Sequence, residues 1–176
     1  MSNVSLFISV NVLGAILVLG GYVIILTMFP EFRSALWGGI KGTTQSLFTI
    51  SMLLAAAGYL LFYFVVVLKS NPDSANTETF RLITCLSLIF LIASAIWMPA
   101  TITYIGKQHI GFWILAVFSL WITATALISL VVWFSVSDIG IESSRLKTAS
   151  IIGLIYITFH CLVLDAIIWV FKFPLR

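Results

Sequence analysis

Five long apolar segments constrain this chain more than any other feature of its sequence. They lie at residues 5–28, 46–68, 80–104, 112–136 and 149–171. An α-helix rises about 1.5 Å per residue and the hydrocarbon core of a bilayer is roughly 30 Å thick, so each segment is long enough to cross a membrane. Because lipid satisfies no backbone polar group, each segment must form its own hydrogen bonds. We therefore predict an all-α integral membrane protein, a five-transmembrane-helix bundle that forms a single membrane domain over residues 1–176.

The composition agrees with a multi-pass protein whose main partner is the lipid bilayer. Charged residues make up only 9% of the chain, against about 25% in a typical soluble protein. The lysines and arginines are spread over loops and tail without a cluster or stripe, which argues against a nucleic-acid partner. Cys85 and Cys161 both fall in apolar segments, so we expect two buried thiols and no disulfide.

The basic residues give a weak signal for orientation in the membrane. The side that holds the C-terminus carries five of them, accompanied by the acid Glu31: Arg33, Lys41, Lys107, Lys172 and Arg176. The other side carries four: Lys69, Arg81, Arg145 and Lys147. Its acids are Asp73, Glu78, Asp138 and Glu142. Since cytoplasmic loops are enriched in lysine and arginine, this distribution slightly favours a cytosolic C-terminus and does not identify the membrane.

Asp165 is the only acidic residue inside any of the five apolar segments. A carboxylate at this depth is costly unless it faces protein, water or a ligand. On an α-helix it shares a face with Thr158, Cys161, Trp169 and Lys172. We predict that Asp165 lines a polar cavity and binds a cation, a proton or a hydrogen-bond donor of a ligand. The alternative is structural: the carboxylate accepts from a hydroxyl or indole N–H of a neighbouring helix.

His160 is the only histidine inside a segment, and it precedes Asp165 by five positions. With 3.6 residues per α-helical turn, its side chain should point away from the carboxylate. We therefore expect a packing residue, and no metal or haem site, because the other histidine, His109, lies in a turn. Retinal chemistry is excluded because no lysine lies in the middle of a segment. The sequence also lacks catalytic motifs and paired carboxylates, so we do not expect an enzyme.

Small and polar residues recur on single helix faces, which favours contact with other helices. The third segment carries such a face at heptad spacing: Thr84, Ser87, Leu91, Ser94, Met98 and Thr101. The first segment carries another: Asn11, Gly14, Val18 and Gly21. We expect Ile92 and Ile96 to face lipid instead. In the second segment, residues 55–58 should allow a close helix crossing.

Three further features bear on the loops and the possible ligand pocket. Residues 30–45 should form an ordered loop, with an interfacial turn and Trp37 as a membrane anchor. Pro99 should kink the third helix or free a backbone carbonyl. The fourth segment presents four side chains on one face: Trp121, Thr125, Ser129 and Trp133. Aromatic residues on such faces are candidates to wall an apolar ligand pocket.

Several short motifs resemble the translocator protein, or tryptophan-rich sensory protein, family. The sequence 97–99, Trp-Met-Pro, is similar to that family's Trp-x-Pro and is followed by a Gly-Lys turn at 106–107. Leu-Trp at 120–121, with the threonines after it, resembles the family's fourth helix. Ala149, Tyr156 and Phe159 match the spacing of its fifth-helix Ala, Tyr and Trp. The resemblance covers about residues 95–166.

The chain departs from this family at identifiable positions. Its Trp- and Pro-rich first loop is reduced to Pro30 and Trp37, and its Asn three residues before the Trp is Ser94. Leu-Asp at 164–165 stands two residues short of the family's Leu-Asn. The resemblance implies a five-helix bundle, often dimeric, that binds a hydrophobic ligand such as a tetrapyrrole or sterol. The altered loop leaves the identity of the ligand open.

We predict a protein that binds or transports a small hydrophobic or amphipathic ligand, of lipid, sterol or tetrapyrrole type, between its helices. The predicted ligand-binding residues are Trp97, Pro99, Trp121, Thr125, Tyr156, Cys161, Asp165 and Trp169. One alternative is an ion or proton pathway centred on Asp165. The other is an accessory subunit of a larger membrane complex. Partners other than the bilayer and a hydrophobic small molecule would be copies of the chain in a homo-oligomer, or that complex. The residues indicate no particular cofactor.

Overall fold

A computed structural model describes residues 2–71 and 77–175 of the chain. Asp73 and Arg176, which entered the charge comparison above, lie outside these ranges. The protein is 86% helical, and the described residues contain no strand. The predicted all-α class is therefore confirmed.

The helices include every predicted span within their bounds. The first four are α1 (Asn3–Met28), α2 (Thr43–Lys69), α3 (Thr77–Lys107) and α4 (Ile110–Val136). The fifth span runs continuously through three parts: α5 (Ser144–Phe159), a π-helix (His160–Trp169) and the short α6 (Val170–Lys172). All five spans are long and apolar enough to cross a membrane. Pro99 lies inside α3, which continues past it to Lys107.

The connection between α1 and α2 is an ordered loop, as predicted. It contains two short 3₁₀ turns, Pro30–Phe32 and Ala35–Trp37. The backbone N–H of Gly39 donates to the carbonyl of Lys172 at 3.0 Å, which ties the loop to the end of the fifth span. A Cβ at Gly39 would lie within 2.4 Å of that carbonyl oxygen, so this close approach requires glycine.

The helices pack in an order that differs from their order along the chain. α1 packs mainly on α3, α3 on α4, and α2 on α5, whereas α1 and α2 barely touch. The α2–α5 crossing is close because Gly58 and Gly153 meet backbone to backbone. A Cβ on either would lie 2.6 Å from the other's carbonyl oxygen. The predicted close crossing at 55–58 is therefore confirmed, with Ala55 also buried.

The hydroxyl face of α3 is turned into the bundle, as predicted. Ser87 and Thr101 are fully buried, and Ser94 Oγ lies 3.4 Å from Thr123 Oγ1 of α4. Ile92 and Ile96 are exposed on the opposite side. One prediction about side chains is wrong: Cys85 is exposed and Cys161 only half-buried, because each points partly away from the core.

Aromatic side chains fill the bundle in two layers. The first layer, near the N-terminus of α1, consists of Phe7, Phe62, Phe80 and Phe134, all essentially inaccessible. Its rings meet edge to face, with centroids 5.0 to 6.0 Å apart. The second layer, near the C-terminal end of the fifth span, consists of Tyr104, Trp113, Trp169 and Phe173. Along the fifth span, the segment between these layers carries His160 and Asp165.

Candidate functional site

The π-helix brings His160 and Asp165 together, contrary to the sequence prediction. His160 Nε2 lies 3.6 Å from Asp165 Oδ2. A π-helix closes its hydrogen bonds between residues five apart, so positions i and i+5 are stacked one turn from each other. The prediction assumed α-helical rotation, in which five residues overshoot a full turn. The rotation per residue changes where the π-helix begins. The single α-helical face predicted to run from Thr158 to Lys172 therefore stops at that point.

His160 is also tied to Ser51 of α2, and through Ser51 to Tyr156 of its own span. Its Nδ1 lies 2.9 Å from Ser51 Oγ of α2. Ser51 Oγ in turn accepts from the Tyr156 hydroxyl at 3.2 Å. Because Ser51 already accepts from Tyr156, its own hydrogen is best placed to donate to His160 Nδ1. We assign the remaining imidazole proton to Nε2, where it faces Asp165.

Asp165 is held loosely by this chain of side chains. The 3.6 Å separation from His160 is within ion-pair distance but too long for a hydrogen bond. The Asp165 side chain keeps 31% of its accessible surface. The phenol of Tyr22, from α1, and the thiol of Cys161 are within electrostatic range of the carboxylate. Among the described residues, no three His, Cys, Asp or Glu side chains cluster as metal ligands.

α1 and α2 barely touch, and we call the open side between them the α1–α2 cleft. The two helices meet near the first aromatic layer, where Phe7 stacks on Tyr63 and the Tyr59 hydroxyl donates to Asn11 Oδ1 at 2.7 Å. Farther along α1, Gly21 continues the inward face predicted from the sequence. A Cβ there would meet no atom within 4 Å. The inward face of α1 is therefore packed at its start and open at Gly21.

A chain of aromatic rings connects α1 to the second layer. The Tyr22 ring lies 6.3 Å from that of Trp97, and Trp97 lies 5.3 Å from Trp169, centroid to centroid. Trp169 Nε1 donates to the Leu36 carbonyl at 2.9 Å, which fixes its ring against the α1–α2 loop. The buried Trp97 Nε1 finds no acceptor among the described residues. A donor in this state is costly, and it is uncommon in folded proteins.

The predicted ligand-binding residues divide into two groups. Five lie on the fifth span or contact it: Tyr156, Cys161, Asp165 and Trp169 belong to it, and the Trp97 ring lies 5.3 Å from that of Trp169. Pro99, Trp121 and Thr125 do not, because they lie on the outward faces of α3 and α4, where all three are exposed. Trp121 and Thr125 line a shallow outer groove of about 290 Å³ instead.

Three residues of the site were not predicted: Tyr22, Ser51 and His160. Tyr22 directly follows Gly21 of the predicted α1 face, and Ser51 carries no signal in a segment that has several hydroxyls. A surface depression of about 330 Å³ lies elsewhere, between residues 68–71 and 140–146. It contributes nothing to the His160–Asp165 pair.

Together, the fold and the site define a five-span helical bundle with an acid–imidazole pair on the fifth span. Comparison with protein-family models, curated proteins and solved structures gives no match. The resemblance to the translocator protein family therefore remains a prediction.

Proposed function

We propose that the protein binds a small hydrophobic or amphipathic molecule in the cleft between α1 and α2, with the molecule's polar head at Asp165. The observation that carries this proposal is the state of the carboxylate. It is about one-third exposed and has no hydrogen bond from His160, its nearest partner, 3.6 Å away. An acidic side chain in a membrane span that keeps free acceptor capacity is a binding group by default. The aromatic side of the cleft provides an apolar surface for the rest of the molecule.

The two aromatic layers favour ligand binding over the alternative of an ion or proton pathway. A pathway across the membrane needs a continuous polar or hydrated route past Asp165. The first layer has Phe7 and Phe62 at its centre, and the second has Trp113 and Trp169, all buried. These rings close the bundle axis on both sides of the carboxylate. The open α1–α2 side instead favours access from the bilayer.

The predicted resemblance to the translocator protein family favours a sterol, a tetrapyrrole or another lipid-like ligand. Trp97 and Tyr156 are the residues of that resemblance that lie nearest the site. Tyr156 reaches it through Ser51, and Trp97 through its contact with Trp169. Trp121 faces outward, so the Leu-Trp motif at 120–121 does not contribute to the pocket. The ligand is therefore better identified from the molecules that co-purify with the protein than from the family's known ligands.

A second candidate function, as an accessory subunit, is favoured by the outer face of α4. Trp121 and Trp133 are each nearly half exposed there, beside the groove that Thr125 lines. Tryptophan is enriched at the buried centres of protein interfaces. A homo-oligomer or a larger complex would cover this face without involving Asp165. In either case, the slight excess of basic residues favours a cytosolic C-terminus.

Replacing Asp165 with Asn tests the main proposal, because it preserves shape and removes the charge. We expect the purified variant to lose any specifically bound molecule found with the wild type by mass spectrometry of extracted lipids and small molecules. Its melting temperature should stay the same or rise, since a neutral amide is cheaper to bury. Glu31→Gln is the control, because Glu31 is an exposed acid in the α1–α2 loop. Retention of the molecule by Asp165→Asn would exclude Asp165 as the binding group.

A further inference from the structure

The charge of Asp165 has no cationic counterpart inside the bundle. Among the described residues, His160 is the only basic side chain within ion-pair distance of the carboxylate. We assign that imidazole as neutral, with Nδ1 accepting from the Ser51 hydroxyl. The nearest lysine along the chain, Lys172, is exposed at the end of the span. An uncompensated carboxylate in a low-dielectric region attracts a cation far more strongly than one in water does.

The side chains beside the cleft suit a cation with an apolar body. Electron-rich aromatic faces attract cations within roughly 6 Å of the ring centroid, and tryptophan and tyrosine do so best. Tyr22 is within electrostatic range of Asp165 and contacts Trp97, which in turn contacts Trp169. An anionic head group would instead meet the carboxylate and the negative ring faces.

We propose that the molecule bound in the α1–α2 cleft carries an organic cation, an ammonium-type head group held by the Asp165 carboxylate and the aromatic ring of Tyr22. This inference rests on the proposed function, since it names the chemical class of ligand for the same cleft. It makes Tyr22 a binding residue through its ring rather than through its hydroxyl.

Three probes that share an eight-carbon tail test the head group: octyltrimethylammonium, octanol and octanoate. Binding to the full-length protein in a neutral detergent is measured by tryptophan fluorescence and by the shift in melting temperature, because a ligand that prefers the folded state stabilises it. We expect octyltrimethylammonium to bind the wild type and octanoate not to bind. Asp165→Asn should weaken the cation's affinity by roughly 10- to 100-fold, as expected for a lost hydrogen-bonded or ionic partner.

A matched pair of variants isolates the ring of Tyr22. Tyr22→Phe keeps the ring and should bind octyltrimethylammonium nearly as well as the wild type. Tyr22→Leu removes the ring and should lose roughly 2- to 30-fold in affinity, the usual range for a cation–π contact. Equal losses in both variants would overturn the role of the ring.

The probes also separate failure of this inference from failure of the proposed function. If octanol binds in a manner that depends on Asp165 and the cation does not, the cationic head group is wrong and the binding cleft stands. If all three probes act equally on the wild type and Asp165→Asn, they only partition into detergent, and both the inference and the proposed function are wrong.

Discussion

Ser51 links two side chains of the fifth span, Tyr156 and His160, by hydrogen bonds. It accepts from Tyr156 and contacts His160 Nδ1, and it is itself buried. Its hydrogen bond to Nδ1 also bears on which imidazole nitrogen of His160 carries the proton. The residue therefore links the α2–α5 packing surface to the candidate site.

Replacing Ser51 with Ala should reduce the free energy of unfolding by about 1–3 kcal/mol, because it removes the hydrogen-bond partner of the buried His160 Nδ1 and of the partly buried Tyr156 hydroxyl. Ser135→Ala is the control, since the exposed Ser135 hydroxyl bonds only to the Val131 carbonyl of its own helix. Chemical unfolding in mixed micelles measures both variants. Equal stability of Ser51→Ala and Ser135→Ala would show that the Tyr156–Ser51–His160 chain contributes nothing.

At the scale of helices, the α2–α5 crossing is the contact that holds the fifth span in place. Gly58→Ala or Gly153→Ala places a Cβ 2.6 Å from the opposite carbonyl oxygen, so the helices must separate. Overpacking of this kind costs roughly 1–3 kcal/mol. Gly20→Ala is the matched control, because its Cβ meets no atom within 4 Å. Thermal unfolding should rank the two crossing variants well below Gly20→Ala, and a similar stability for all three would contradict the close crossing.

The sequence was sufficient for the spans, the α3 face and the 55–58 crossing because these follow from hydropathy and α-helical spacing. It was insufficient for the pairing of His160 with Asp165. Residues 160–169 contain no Gly or Pro, so no local signal marks the π-helix. The outward direction of Trp121 could not be predicted either. Helical spacing shows which residues share a face, but it does not show which way that face points.

For the whole molecule, five spans require termini on opposite sides of the membrane. Tags placed at the N- and C-termini should therefore be accessible to a membrane-impermeant protease from opposite sides of sealed vesicles. A cytosolic C-terminal tag is the expected orientation, given the slight basic excess on that side. Detection of both tags from the same side would contradict the five-span topology.

A substitution at Gly21 should distinguish an effect on ligand access to Asp165 from an effect on protein stability. Gly21 lies on the inward face of α1 and a Cβ there meets no atom within 4 Å, so Gly21→Leu should fill open space. A leucine also favours the helix by roughly 0.5–1 kcal/mol relative to glycine, so the melting temperature should not fall.

The same leucine should obstruct the path to Asp165, so Gly21→Leu should bind octyltrimethylammonium and any co-purifying molecule at least roughly tenfold more weakly than the wild type, a loss equivalent to 1.4 kcal/mol. Gly20→Leu is the matched control. Gly20 also has open space around it, but it is one residue, and so about a quarter of a turn, away from the inward face. Equal binding by the two leucine variants would mean that ligands do not reach Asp165 between α1 and α2. Weaker binding by Gly21→Leu alone, at unchanged stability, would locate the path on the inward face of α1, where the helix pair is least closed.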